Sequence, residues 1–201
     1  MDIANAQPFF LLSLYPKGHT ERATFAVSVG RGRFYEDLFR AMDRPSRKAW
    51  GFELAAWKKY GSTDRDRFKK HVMQWGLYSR FCPGRSKPVF EAFSWMFPWL
   101  ASVLALRRSA EGGASGLAIE MQMHEADLIL ERVLPRIQRE LPGCRAVSIH
   151  DGILCQRRFA EAVARIARDE TQAVIGVLPT VRTKPKLRQQ AVERAKIGAA
   201  A

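Results

Sequence analysis

The segment that most constrains the fold runs from Leu117 to Glu140, where apolar side chains recur at three- and four-residue spacing. This period predicts a long helix, which Leu141-Pro142-Gly143 ends. The face that we expect to be buried carries Ile119, Met123, Ala126, Leu130, Val133 and Ile137. A segment of this length makes a mostly helical chain the first expectation.

Shorter segments complete the layout. Further helices are predicted at Phe34–Phe39, Pro45–Lys59, Arg65–Phe81 and Phe159–Gln172, and as one helix with a buried stripe through Phe90, Phe93, Phe97, Leu100 and Leu104. Residues 146–149 are predicted as a short buried strand and residues 153–155 as its return strand, with His150-Asp151-Gly152 as the turn. The predicted fold class is therefore α+β, mostly helical with a small antiparallel sheet.

Composition excludes several classes of protein. Apolar residues make up 47% of the chain and charged residues 26%, which is typical of a folded globular domain rather than a disordered one. The three cysteines have no Cys-x-x-Cys spacing, which excludes a disulfide scaffold and a zinc site built from four cysteines. The N-terminus does not resemble a signal peptide, and the longest apolar stretch, Ala92–Leu106, is too short to cross a membrane. We expect a cytoplasmic protein without a membrane partner.

The charge is strongly positive and unevenly distributed. Lys and Arg number 33 against 20 Asp and Glu, which gives a net charge of +13 and an isoelectric point near 10.2. Between Arg31 and Arg108 there are seventeen Lys or Arg against seven Asp or Glu. Such a concentration favours a surface that follows nucleic-acid phosphates, although a solvated basic face is the alternative.

Two aspartates, Asp2 and Asp151, each lie beside a short apolar strand or turn. Brought together, they would suit two Mg²⁺ ions in a phosphoryl transfer, whereas Asp151 alone also fits an ordinary turn. A His150/Asp151 pair for nucleophilic catalysis is disfavoured, because neighbouring strand residues point to opposite faces. Arg65 and Lys69 lie one helical turn apart. They could clamp a triphosphate near a helix N-terminus, and the alternative is that they belong to an ordinary basic surface helix.

The order of these motifs resembles the palm and fingers of family A DNA polymerases, in particular the phage-like members of that family. Phage-type single-subunit RNA polymerases share the same arrangement. Residues 2–8 resemble motif A, residues 65–78 resemble the fingers helix of motif B, and residues 148–152 resemble motif C. Phe34-Tyr35-Glu36 matches an aromatic-acidic signature after motif A, and Phe97-Pro98 with residues 120–127 resembles the helices between motifs B and C. The resemblance covers nearly the whole chain.

The resemblance implies a template-directed nucleotidyltransferase that adds nucleotides to a primer 3′ end. It implies that Asp2 and Asp151 bind two Mg²⁺ ions with the carbonyl of Ile3, and that His150 contacts the primer terminus. The implied nucleotide-binding residues are Gln7, Arg65, Lys69, Lys70 and Tyr78, with Lys70 as the rival of Lys69. The implied nucleic-acid-binding residues are Gln122, Arg80, Arg85 and Lys87. The implied partners are a DNA primer-template and dNTPs.

Departures from the family leave alternatives open. Gln7 stands where these polymerases carry the Glu that helps to exclude ribose, so rNTPs remain alternative substrates. The implied divisions are palm 1–33, fingers 34–110, palm 111–181 and a basic tail 182–201. Because the resemblance begins at motif A, it implies that thumb and exonuclease domains are absent. Three explanations stay open: a split gene whose second chain supplies the thumb, a truncated or degenerate polymerase, and a minimal catalytic core, with the first two favoured. The implied setting is a bacterial or phage-infected cell. The alternative function is a non-catalytic nucleic-acid-binding remnant of the fold.

Overall fold

The computed structural model describes residues 2–3, 6–50, 63–78, 87–109, 113–149 and 152–183. Most of these residues are helical, and a small antiparallel sheet accompanies the helices, which confirms the α+β class. The described helices are α1 (Ala6–Phe10), α2 (Thr20–Gly30), α3 (Phe34–Ala41), α4 (Arg44–Lys48), α5 (Thr63–His71), α6 (Lys87–Met96), α7 (Pro98–Ser109), α8 (Gly113–Asp127), α9 (Leu134–Glu140) and α10 (Ala160–Ile175). Short 3₁₀ turns lie at Leu11–Leu14 and Arg157–Phe159, and π-helical segments lie at Val72–Leu77 and Leu128–Val133.

The sheet joins both ends of the described chain. Its strands are β1 (Asp2–Ile3), β2 (Val147–Ile149), β3 (Gly152–Leu154) and β4 (Val181–Arg182), in the order β2-β3-β1-β4 with antiparallel pairing throughout. Strand β1 therefore lies between the β2–β3 hairpin and β4. Pairings between residues so far apart in the chain hold the termini of the fold together and could not be read from local patterns.

The core is built around the segment that follows β1. Helix α1 and the 3₁₀ turn after it place Phe9, Phe10, Leu11 and Leu12 in the interior, where each is at most 1% exposed. Helix α1 packs against α2 and α8. Each fully buried side chain of this kind contributes about 1.5–3 kcal/mol of burial free energy, so the segment anchors β1 firmly in the fold.

The helix predicted through Phe90 and Leu104 is in fact two helices. Helix α6 ends at Met96 and α7 begins at Pro98, because proline cannot supply the N–H that a continuous helix needs at that position. The carboxylate of Glu21 accepts hydrogen bonds from the backbone N–H groups of Trp99 and Leu100, at 2.9 and 3.0 Å. It also accepts one from Tyr15 Oη at 2.7 Å. A carboxylate on α2 thus caps the first turn of α7.

Replacing Glu21 with alanine is expected to lower the free energy of unfolding by about 2 kcal/mol, because two helix N–H groups and a phenol lose a charged acceptor. Urea denaturation followed by tryptophan fluorescence would measure the change. Glu91→Ala is the matched control, since Glu91 is exposed and its ion pair among the described residues is a long one, to Lys87 at 3.8 Å. An equal loss of stability in both variants would contradict the capping role.

The long segment beginning at Leu117 is helical as predicted, but the predicted buried face is wrong over its first half. Val133 and Ile137 are buried, whereas Ile119, Met123, Ala126 and Leu130 are exposed. The buried side chains before the π-helical segment are instead Leu117, Met121 and Glu125. The π-helical turn at Leu128–Val133 has more residues per turn, so the face toward the core changes phase there.

Three smaller expectations also change. Strand β2 is an edge strand with Val147 59% and Ile149 46% exposed, so the prediction of a buried strand is wrong. Residue 182, the first of the predicted basic tail, is paired in β4. Helix α4 ends at Lys48, and the rest of the helix predicted to Lys59 falls largely outside the described residues.

No helix in the described part of the chain has the length and apolar content needed to span a bilayer.

Candidate functional site

The sheet places the backbone of Asp2 opposite Gly152. Asp2 pairs with Gly152 on one side and with Arg182 on the other, and Gly152 in turn pairs with Ile149. These four residues form one register row across all four strands. Residues that pair across antiparallel strands share a face of the sheet, so the row marks one strip of that surface.

The other predicted residues of this corner are only partly described. His150 and Asp151 lie outside the described residues, between Ile149 and Gly152, which pair with each other. Ile3, whose carbonyl the resemblance assigns to a metal, is buried and pairs with Val181. The described side chains contain no cluster of three or more His, Cys, Asp or Glu suited to a metal ion. Asp151 and the side chain of Asp2 are not among these described side chains.

Arg65, a predicted triphosphate ligand, points into the protein. Its Nε donates to Glu36 Oε1 at 2.7 Å, and the guanidinium lies 5.5 Å from the centre of the Tyr35 ring. The residue is 9% exposed. The Phe34-Tyr35-Glu36 segment of α3 thus binds the helix that resembles motif B, a contact that the sequence analysis did not predict.

Tyr78 belongs to the same buried polar cluster, which we define as Tyr35, Glu36, Arg65, Tyr78 and Glu125. Burial raises the pKa of Tyr78 above its usual range, and the nearby Glu125 carboxylate raises this pKa further. Burial likewise raises the pKa of Tyr35, with a smaller contribution from Tyr78. Both phenols therefore stay neutral at physiological pH and can act only as hydrogen-bonding or packing groups.

Some polar atoms of the cluster have no hydrogen-bond partner among the described residues. These atoms are Tyr35 Oη, Glu36 Oε2, Arg65 Nη2 and Tyr78 Oη. Buried polar atoms are nearly always paired, so these atoms can accept a partner that the described residues do not supply, such as an ordered water or a polar group of a ligand. Sequence spacing alone could indicate Arg65 and Tyr78, but not their acidic and aromatic neighbours from α3 and α8.

The remaining predicted ligands differ in exposure. Lys69 and Lys70 are exposed on α5 and form no ion pair with other described residues. Gln7 is partly buried in α1, and Gln122 is exposed on α8. Lys87 is exposed and lies 3.8 Å from Glu91. Arg80 and Arg85 lie outside the described residues.

The structure therefore brings together two sets of predicted residues. Asp2 is adjacent to the residue that follows Asp151 in the chain, and Arg65 shares a buried cluster with Tyr78. Comparison of the chain with protein-family models, with curated proteins and with solved structures finds no match. The chemistry of the site must therefore be argued from its own residues.

Proposed function

We propose that this protein is the catalytic core of a template-directed nucleotidyltransferase, which adds nucleotides to a primer 3′ end. The observation that carries the proposal is the pairing of Asp2 with Gly152, the residue after His150-Asp151. Asp151 directly precedes β3 in the sequence, so this pairing sets the backbone of Asp2 beside the strand that follows Asp151, although the two aspartates are 149 positions apart. Carboxylates of this kind are what two-metal phosphoryl transfer requires.

The donor set fits magnesium. Asp2 and Asp151 would supply carboxylate oxygens and Ile3 a backbone carbonyl, which are the hard ligands that Mg²⁺ prefers. Bound Mg²⁺ supplies charge stabilisation for the attacking and leaving oxygens. The chain's own part is to hold both carboxylates, and the buried Ile3 together with α1 fixes the strand that carries Asp2.

The exposed cations of α5 supply the nucleotide side of the proposal. Lys69 and Lys70 are available to a triphosphate, whereas Arg65 is engaged by Glu36. We therefore assign triphosphate binding to Lys69 or Lys70. Arg65 would bind the triphosphate only if its guanidinium left Glu36 and paired with a phosphate instead. The excess of Lys and Arg between Arg31 and Arg108 supports a polyanionic partner.

A non-catalytic nucleic-acid-binding protein is the second candidate, and the engagement of Arg65 favours it. A side chain that the resemblance assigns to the nucleotide is instead used to join α5 to α3. This candidate keeps the basic surface and loses nucleotide addition. Binding to nucleic acid weakens with salt in both cases, so salt dependence does not separate the two.

Primer extension separates them. The purified chain is incubated with a 5′-labelled primer on a longer template, Mg²⁺ and either dNTPs or rNTPs, and products are resolved by length. We expect extension to the template end that requires both template and Mg²⁺, and the preferred nucleotide reports the sugar choice at Gln7. A folded protein that binds primed template and extends nothing would reject the catalytic proposal for this chain and support the binding candidate.

A further inference from the structure

The outward face of α8 and of the π-helical turn after it carries a continuous apolar stripe. Its members are Ile119, Met123, Ala126 and Leu130, spaced four, three and four residues apart, which places them on one side of a helix. Ile119 is 55% exposed, Met123 60% and Leu130 48%, and Ala126 is exposed as well. We call these four residues the α8 stripe.

The stripe lies opposite the face that α8 already buries. Leu117, Met121 and Leu128 point to the interior, at spacings that place them on the other side of the helix. A helix at the surface of a globular protein normally has a polar outer face, and one that is apolar all round is normally buried on all sides. The α8 stripe is therefore a second apolar face without a cover among the described residues.

The charges beside the stripe differ in sign from the rest of the protein. The 23 residues between Arg108 and Arg132 contain no Lys or Arg and five Asp or Glu, in a chain with a net charge of +13. Glu120 pairs with Arg107 and Glu125 is buried, so the acidic edge of the stripe consists of Asp127 and Glu131. Asp127 and Glu131 are exposed, lie one turn apart and have no ion-pair partner among the described residues. Like charges at this spacing destabilise a helix unless a cation approaches them.

We propose that the α8 stripe docks a helix of a partner chain that is apolar on one face and carries Lys or Arg along its edge. Packing an amphipathic helix against an apolar strip is a common recognition mode, and the basic edge would pair with Asp127 and Glu131. A second copy of this chain fits less well, because two copies repel each other and a symmetric contact sets one acidic edge against the other. The same acidic edge repels an anionic lipid surface.

The test uses the full chain and two fluorescein-labelled helical peptides, one of Leu and Lys and one of Leu and Glu, each about 18 residues long so that the helix can form. Fluorescence anisotropy measures binding at several salt concentrations. We expect the Leu/Lys peptide to bind despite the overall positive charge of the protein, and the Leu/Glu peptide not to bind. Preference for the Leu/Glu peptide would overturn the proposal.

Variants locate the binding site. Ile119→Ser with Met123→Ser is expected to weaken Leu/Lys peptide binding at least about tenfold. The double variant Asp127→Asn with Glu131→Gln is expected to remove most of the salt dependence of Leu/Lys peptide binding. The matched control is Val27→Ser with Val174→Ser, because these valines are 50% and 45% exposed on other helices. An equal loss of binding in the control would overturn the proposal.

Sedimentation velocity of the unmodified chain tests whether a second copy of the chain binds to the α8 stripe. We expect a monomer across the concentration range of the binding assay, with unchanged thermal unfolding of every variant because all the altered positions are exposed. Dimerisation that the Ile119→Ser and Met123→Ser changes abolish would assign the stripe to a second copy and reject the basic partner helix.

Discussion

Asp2→Ala and Asp151→Ala are each expected to reduce Mg²⁺-dependent primer extension by at least about a thousandfold while leaving the protein folded. Under the proposed mechanism each carboxylate holds a metal ion that supplies several kcal/mol of transition-state stabilisation, and about 4 kcal/mol corresponds to this factor. Single-turnover extension with preformed primer-template complex is the measurement, because it isolates nucleotide addition from binding.

Asp169→Ala is the control for a generic loss of an aspartate. Asp169 lies on α10, is partly exposed and contacts Arg136 Nη2 at 3.3 Å, so its removal should leave extension close to that of the unmodified chain. The two site variants should also bind primed template as the unmodified chain does, because the proposal gives the aspartates to metal ions rather than to the duplex. Retained extension in either site variant would remove that aspartate from the metal site.

Local patterns predicted those elements whose apolar period or turn sequence is clear over a few residues. Helix α3 was predicted at Phe34–Phe39 and extends to Ala41. Helix α10 was predicted at Phe159–Gln172 from its apolar period, and it continues to Ile175, where Gly176 caps it in the left-handed conformation with φ of 76°. The β2–β3 hairpin followed from two apolar runs around a turn sequence. In each case the decisive interactions are within a few residues of one another.

The orientation of α8 could not be predicted in the same way. Both of its faces are apolar, so periodicity identifies a helix without identifying the side that meets the core. The π-helical turn at Leu128–Val133 then changes which positions align with Val133 and Ile137. Strand β4 was missed for a different reason, because two residues gain their structure only by pairing with β1, almost the whole chain away.

In the candidate site, too, the local sequence predicts the helix but not the tertiary contacts of its side chains. The spacing of Arg65 and Lys69 correctly predicts a helix that carries both, but helical spacing does not reveal which of them meets an acid from another element. Glu36 precedes Arg65 by 29 residues, and only the packing of α3 against α5 brings them together. The same uncertainty about partners applies to any charged residue that a motif assigns to a ligand.

Arg65→Ala is the second change with a large expected effect, a loss of about 3–5 kcal/mol in the free energy of unfolding. The substitution leaves the Glu36 carboxylate, whose side chain is 19% exposed, without its cation and opens a gap beside Tyr35. Breaking a buried ion pair from one side costs far more than the pair contributes, because a buried charge remains uncompensated. Urea denaturation monitored by tryptophan fluorescence gives the value.

Lys69→Ala separates this role from the general effect of removing a cation from α5. Lys69 is exposed one turn along the same helix, and its removal should change the free energy of unfolding by less than about 0.5 kcal/mol. A loss below about 1 kcal/mol in Arg65→Ala, as small as a typical surface ion pair gives, would show that the ion pair contributes little to stability.

Replacing both Arg65 and Glu36 then tests whether Arg65 also binds a ligand. Arg65→Met with Glu36→Leu exchanges the buried ion pair for an apolar contact of similar size, so most of the lost stability should return. If Arg65 acts only within the fold, primer extension and the KM for the nucleotide should return with it. If stability returns while the KM stays raised, the guanidinium must leave Glu36 to hold the triphosphate, and the pairing of Arg65 with Glu36 would then be the resting state of a nucleotide ligand.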